Sequence, residues 1–375
     1  MLNLDSIRVD IREVDISSMI TGVTIYESVF GFLQGAISIK DGVNFFDNFI
    51  GSDLADVNFS YEYLNKTYKC SFYMDGISNM IIKPNQKNYI IHLKSVHNVV
   101  FAEKINGVYN GTTDQIIKKI FTNISHEDAV INIDSVADTK GKYIAPNITA
   151  RDAFLILTNQ AYDVNNTGMF LYERFTDANE IRLTSLFDML DTSFVDASNT
   201  RVSIKNSLLN MTNVLEFNSV LGTSSDYELK EYNMNFIQKL EDGIWGEAID
   251  EISLSETKKK SNTTKEATSV PKTKFKLSDK LYSNDVKSIF STEGGVANSV
   301  IRNHKIRTFN TTLEVSKMVA LPNLGVGMSI HVELGEGNVS HSSQAGEYLV
   351  KHIQHNFTIN GGEYGYTQDI GLVRA

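Results

Sequence analysis

The sequence predicts a mainly β protein with a smaller α+β part: two antiparallel β units, the first a closed or strongly curled sheet, with a small α+β unit between them and a compositionally distinct stretch before the last strands. Three observations carry this reading of the 375-residue chain. Apolar and polar residues alternate over short runs punctuated by turn signals at both ends of the sequence. The period lengthens to a helical one twice in the middle. The composition then shifts abruptly at SETKKKSNTTKEATSVPKTKFK, residues 255–276.

In the first unit, SIRVDIREV places Ile7, Val9 and Ile11 on one face, the period of a half-buried strand. The stretch YESVFGFLQGAISIKD, residues 26–41, takes up the same alternation from Gly35 to the turn at Asp41-Gly42. Val57, Phe59 and Tyr61 follow another glycine turn. Asn65-Lys66 reverses the chain into Tyr68, Cys70, Phe72 and Met74, and Lys83-Pro84-Asn85 reverses it again before Tyr89, Ile91 and Leu93. A closed or strongly curled antiparallel sheet over residues 1–104 accounts for this pattern.

Residues 105–198 read as a small α+β domain. Thr112-Thr-Asp-Gln115 is a capping box, followed by Ile116, Ile117, Ile120 and Phe121 at helical spacing. Thr149-Ala-Arg-Asp152 opens a second helix with Phe154, Leu157 and Ala161 on one face. A hairpin around Asp177-Ala-Asn joins Met169–Phe175 to Glu180–Leu186. Strand patterns return from about 200 and again from Thr308, through Leu313–Val315 and Ile330–Leu334 to a long hairpin turning at Asn360-Gly361-Gly362, and read as a second all-β unit. Between them, 255–276 is too poor in apolar residues to offset its ordering entropy, which predicts a mobile loop.

The two β units share an order of parts. Phe72-x-Met74-x-x-Ile77 precedes a strand through Tyr89 in one, and Tyr348-x-Val350-x-x-Ile353 precedes a strand through Tyr364 in the other. Any meander of antiparallel hairpins gives a similar order, so the residues alone leave a duplication open.

Charge and chemistry narrow the function. With 45 acids against 35 bases the net charge is -10, which argues against gripping duplex DNA through its phosphates but not against a surface past which DNA slides. The single cysteine, Cys70, excludes an intrachain disulfide. The N-terminus lacks a signal-peptide pattern and no run of about 18 apolar residues occurs. The expectation is therefore a chain made in the cytoplasm with no integral membrane contact. Of the eight histidines, His352 and His355 point to opposite strand faces, and His331 with Glu333 lacks a third ligand. H-E-x-x-H, G-x-S-x-G and phosphate-loop patterns are absent. The acidic pairs Asp188 with Asp191 and Glu127 with Asp128 read as solvated, and Gly294-Gly295 and Gly361-Gly362 as turns. Trp245 has no assigned role. No catalytic residue, cofactor or metal site is expected, which favours a structural or binding role.

The order of parts resembles the baseplate hub protein of contractile-tailed, T-even-like bacteriophages. The likeness rests on MITGVTIYESVFGFLQGAISIKDGVNFFDNF, on NGTTDQIIKKIF and ITARDAFLILTNQAYD, and on LPNLGVGMSIHVEL followed by GEYLVKHIQHNFTINGGEYGYTQDIGLV. The resemblance implies two similar antiparallel β-barrel domains per subunit, the second formed by residues 199–235 and 306–375 with residues 236–305 inserted into it, and a homotrimer in which a pseudo-sixfold ring joins a sixfold tail tube above to a threefold central spike below. It further implies contacts with other baseplate proteins, residence in the virion tail baseplate after assembly in the host cytoplasm, and no enzymatic activity. An acidic bore would let DNA pass without specific binding. A glycan-recognising β protein and a cell-wall hydrolase stand as alternatives. In the stretch from Tyr26, Phe30 and Phe32 are candidate subunit-interface residues at a barrel edge; the alternative is a tight turn or bulge.

Overall fold

The protein is described by a computed structural model over residues 2–48, 55–84, 86–124, 130–138, 140–164, 168–175, 180–191, 201–205, 220–224, 226–232, 247–252, 259–263, 272–277, 311–336, 339–340 and 346–374. The first unit contains β1 (Leu2–Leu4), β2 (Ser6–Ile11), β3 (Val14–Asp15), β4 (Ile20–Ser28), β5 (Gln34–Asp41), α1 (Phe45–Asn48), β6 (Asp56–Tyr63), β7 (Lys66–Lys83), β8 (Gln86–Ser95) and α2 (Val96–Val100). The middle contains β9 (Lys104–Thr112), α3 (Thr113–Ile124), β10 (Ile131–Ile133), β11 (Lys140–Thr149), α4 (Ala150–Gln160), β12 (Met169–Arg174), β13 (Glu180–Ser185) and α5 (Leu186–Asp191). Then come β14 (Arg201–Lys205), β15 (Val220–Ser224), β16 (Asp226–Tyr232), β17 (Glu247–Ile252), β18 (Lys259–Thr263), β19 (Lys272–Leu277), β20 (Thr311–Val319), β21 (Ser329–Glu336), β22 (Val339–Ser340), β23 (Gly346–Asn360) and β24 (Glu363–Arg374).

The alternation read from the sequence is the alternation of burial. Ile7, Val9 and Ile11 of β2, Val57, Phe59 and Tyr61 of β6, and Tyr89, Ile91 and Leu93 of β8 all turn inward. Neighbouring strands run in the order β4-β5-β8-β7-β6-β2. β1 continues the line of β2 and pairs with β24, and β4 pairs with β23. Since β23 and β24 are themselves a hairpin, these pairings close a ring. The first barrel is therefore closed by strands that follow it by more than two hundred residues.

The β23–β24 hairpin belongs to both barrels. Its distal part, with Phe357 and Tyr366, is buried in the first core beside Phe59 and Tyr61. Its proximal part, with Val350, Ile353, Ile370 and Leu372, is buried in a second core with Leu313, Val315, Ile330 and Val332. Around that second core β20 pairs with β24, β21 with β23, and β16 with β20, all antiparallel. β14 departs from the antiparallel expectation, running parallel to both β15 and β21. Parallel neighbours need a crossover connection rather than a hairpin, which strand alternation does not reveal.

The middle unit has its own core. α3 buries Ile116, Ile117, Ile120 and Phe121, and α4 buries Phe154 and Leu157, against Phe101, Tyr143, Ile181 and Leu183. The α4 box forms as expected, with the Thr149 hydroxyl accepting the Asp152 amide at 3.1 Å. The α3 box closes on one side only: the Gln115 side chain accepts the Thr112 amide at 3.3 Å, while the Thr112 hydroxyl has no hydrogen-bond partner among the described residues. Two helices were expected in the chain, α3 and α4; α5 in this unit and α1 and α2 in the first are additional. All three are too short for a helical period to show in sequence. α2 is capped by Ser95, whose hydroxyl accepts the Asn98 amide at 3.3 Å.

Part of the stretch expected to be a mobile loop, 255–276, is strand. β18 and β19 flank β17 in a three-stranded sheet. Their pairing partner lies outside the Lys-, Ser- and Thr-rich run, so its composition does not disclose it. Residues 253–258 and 264–271 lie outside the described residues, as do Glu127, Asp128, Trp245, Gly294 and Gly295.

Candidate functional site

The turn between β4 and β5 is where the three cores meet. Within five residues, Val29 enters the second barrel's core, Phe32 packs on the middle unit's core, and Leu33 enters the first barrel's core. Phe32 meets Phe101 edge to face, with ring centroids 5.0 Å apart. Phe30 points the other way: it is 54% exposed and touches Phe170 across 5.9 Å. Of the two residues read as interface candidates, Phe32 is thus engaged within its own chain and Phe30 remains available. Backbone bonds hold the turn down, from the Val29 amide to the Lys351 carbonyl at 3.1 Å and from the Glu173 amide to the Gly31 carbonyl at 3.3 Å. Gly35 follows because β5 crosses β4 closely: a Cβ there would lie 3.1 Å from the Thr24 carbonyl oxygen.

Two wholly buried carboxylates stand behind this turn. Glu27, at the end of β4, accepts the Phe175 amide at 2.7 Å and the Val326 amide at 3.1 Å. It therefore ties the first barrel to the middle unit and to the second barrel at once. His355 Nε2 lies 3.6 Å from it, and the other ring nitrogen is 2.7 Å from the Tyr366 hydroxyl. Glu173, on β12, accepts the Leu33 amide at 3.1 Å and a hydrogen bond from Ser95. Among the described residues its Oε1 has no hydrogen-bond partner, and His97 Nε2 is 3.9 Å from it, beyond hydrogen-bond range. Burial, reinforced by the negative charge of Glu27, pushes the Glu173 carboxyl up to about 8 against the pull of Ser95 and the Leu33 amide. Burial also raises the Cys70 thiol, with Glu173 and Glu27 adding to it.

A second fastening joins the middle unit to the second barrel. Arg174 Nε donates to the Val326 carbonyl at 2.8 Å. Gly327 has φ +74°, and the Tyr172 hydroxyl occupies the space a Cβ would need. Gln368 seals the neighbouring turn, accepting the Leu321 amide at 2.8 Å and donating to its carbonyl at 3.2 Å.

Sequence reasoning missed these polar residues, although strand parity marks two of them. Glu27 shares the inward face of Val23 and Ile25, and His355 that of Ile353 and Phe357. His352 lies on the opposite face, 3.2 Å from Glu314, as its spacing predicted. Asp188 bonds to Ser135 rather than standing in solvent. The side chains of His331, Glu333 and Asp191 lie outside the described part of the chain. Among the described residues, no group of three or more His, Cys, Asp or Glu is placed to hold a metal, and no helix is long and apolar enough to cross a membrane.

Three consecutive large apolar residues are exposed at one further place. Beyond the reach of β6, whose ladder with β7 ends at Tyr73, the end of β7 is an arm paired with β8 in which Met80, Ile81 and Ile82 are 38%, 56% and 68% exposed. The ladder slips between Ser78 and Ile81, where Asn79 adopts φ +52°.

No protein-family model and no curated protein matches the sequence. Solved structures do match along nearly the whole chain. A tail protein of Neisseria meningitidis MC58 aligns over 98% of this chain and 97% of its own, with TM-score 0.59 and 8% identity. The 43 kDa tail protein of prophage MuSo2 from Shewanella oneidensis aligns over 100% and 98%, with TM-score 0.61 and 11% identity. A chain of the Francisella PdpA–VgrG complex aligns over 99% of this chain and 58% of its own, with TM-score 0.53 and 11% identity. At this identity the likeness is one of fold: the chain shares the β-rich architecture of these tail proteins.

Proposed function

We propose that the chain is a structural hub of a phage-type contractile tail. In this reading three copies form a ring that adapts a sixfold tail tube to a threefold central spike, with contacts to other baseplate proteins and a bore that DNA traverses. The observation that carries it is the two-way alignment, 98% with 97% and 100% with 98%, to tail proteins of matching extent. The partnership with a spike is supported by the likeness to a chain of a VgrG complex. The fused barrels add a physical reason. Two similar β units locked side by side by one shared hairpin are what a subunit needs to present two equivalent surfaces within a threefold ring.

The role is structural rather than enzymatic, and the chain is located in the tail of the virion after assembly in the host cytoplasm. The net charge of -10 fits a bore whose walls leave the phosphates of passing DNA solvated. Phe30 and the arm at Met80–Ile82 are the proposed places of subunit or partner contact, because these large side chains remain exposed within one chain.

Light scattering of the purified chain with negative-stain imaging tests the reading. A trimeric ring with an open centre is expected. A compact monomer at micromolar concentration, or lysis of peptidoglycan in a turbidity assay, overturns it.

A further inference from the structure

The buried acids behind the β4–β5 turn do more than fasten it. We propose that Glu173 is a proton-operated latch: in its neutral form it seats the β4–β5 turn and the β12–β13 hairpin against the two barrels, and its ionisation releases them.

Among the described residues, the only base facing Glu173 is the His97 imidazole, beyond hydrogen-bond range. On the turn side it has only the Leu33 amide, at 3.1 Å. From the end of β8 and from α2 it meets the Ser95 hydroxyl and, at 3.9 Å, the His97 ring. From β4 it meets a second carboxylate, Glu27, and from β7 the thiol of Cys70. His355 of β23, Tyr366 of β24 and Tyr61 of β6 lie on the Glu27 side of the cluster. Arg174, the nearest cation in sequence, is on the opposite strand face with its Nε donating to Val326. An ionised Glu173 would place two carboxylates in a buried junction, one of them with an oxygen that no donor among the described residues reaches. A neutral Glu173 keeps the bond from Leu33 at no such cost.

The same residue controls movable parts. Glu173 bonds the turn through both its backbone and its side chain, at Gly31 and Leu33. Opening hydrates the carboxyl and returns it to the ordinary carboxylate range, so the closed form holds a proton that the open form has lost. Raising pH between the ordinary carboxylate range and about 8 therefore favours opening, and the effect levels off above that.

Hydrogen–deuterium exchange of the full chain between pH 6 and 9 tests this, with rates divided by the intrinsic exchange rate at each pH. Protection of peptides spanning 28–34 and 172–175 is expected to fall on the order of tenfold per pH unit up to about 8 and then level off. A β6 peptide should stay better protected throughout. In Glu173→Gln the fall should vanish. A flat wild-type profile, a slope that survives Glu173→Gln, or exchange of the turn only together with β6 overturns the latch. A slope abolished by His97→Gln but not by Glu173→Gln assigns the titration to the imidazole and also overturns it. Should Glu173→Gln fail to fold, Ser95→Ala serves instead. Loss of the hydroxyl that favours the ionised form should move the levelling point to higher pH, and an unmoved point counts against the proposal.

Discussion

Individual residues carry the joints of this molecule, and their substitution should separate steric from polar contributions. Gly327 combines φ +74° with a Tyr172 hydroxyl packed where a side chain would begin. Gly327→Ala is expected to cost about 2 kcal/mol or more, and Tyr172→Phe in that background should recover part of it; urea unfolding of the three variants measures both. Glu27 serves two buried amides, so Glu27→Ala leaves both unsatisfied at about 1–3 kcal/mol each. Loss confined to a few tenths of a kcal/mol in the same urea experiment would mean that water replaces the carboxylate. Neither role is visible from composition. A glutamate after a tyrosine reads as a solvated strand residue unless its parity with Val23 and Ile25 is followed to the end of the strand.

At the level of elements, the short turn Val29–Leu33 contributes to three cores, and its two phenylalanines divide between two tasks. Phe32→Ser should lower stability by about 2 kcal/mol through lost packing on Phe101, with assembly affected only as a consequence. Phe30→Ser should leave the thermal midpoint nearly unchanged and weaken self-association. Light scattering and thermal unfolding on both variants distinguish these outcomes, and equal effects on the two measurements would remove Phe30 from the proposed interface. The strands, the helices α3 and α4 and the β12–β13 hairpin were legible because burial repeats with their own period, every second residue in β6 and every third or fourth in α3. The pairing of β4 with β23 and of β1 with β24 was not legible. Those ladders are set by main-chain hydrogen bonds between segments more than three hundred residues apart, and no local pattern encodes the partner. The candidate site was invisible for the same reason, since it exists only where those distant pairings bring β4, β12 and the Leu321–Met328 turn together.

For the whole molecule, pH and charge give the measurable consequences. The folded chain holds the Glu173 proton up to about 8, whereas an unfolded chain releases it near the usual 4.5. Stability from this group is therefore complete below the unfolded value and declines as pH rises, on the order of 1 kcal/mol per pH unit until about 8. Urea midpoints from pH 5 to 9 should show a decline that Glu173→Gln removes. A chain of net charge -10 should also show no retention on duplex DNA at low salt, and salt-sensitive binding there would contradict the proposed bore.

The shared hairpin has a bearing on how the protein is made. Leu2, Leu4 and β4 find their sheet partners on β23 and β24, and Phe357 and Tyr366 complete the first core. The ribosome delivers those partners more than three hundred residues after β1 and β4. The first barrel cannot close before β23 and β24 have emerged, so the unpaired edges at β1 and β4 must be kept from other strands in the meantime.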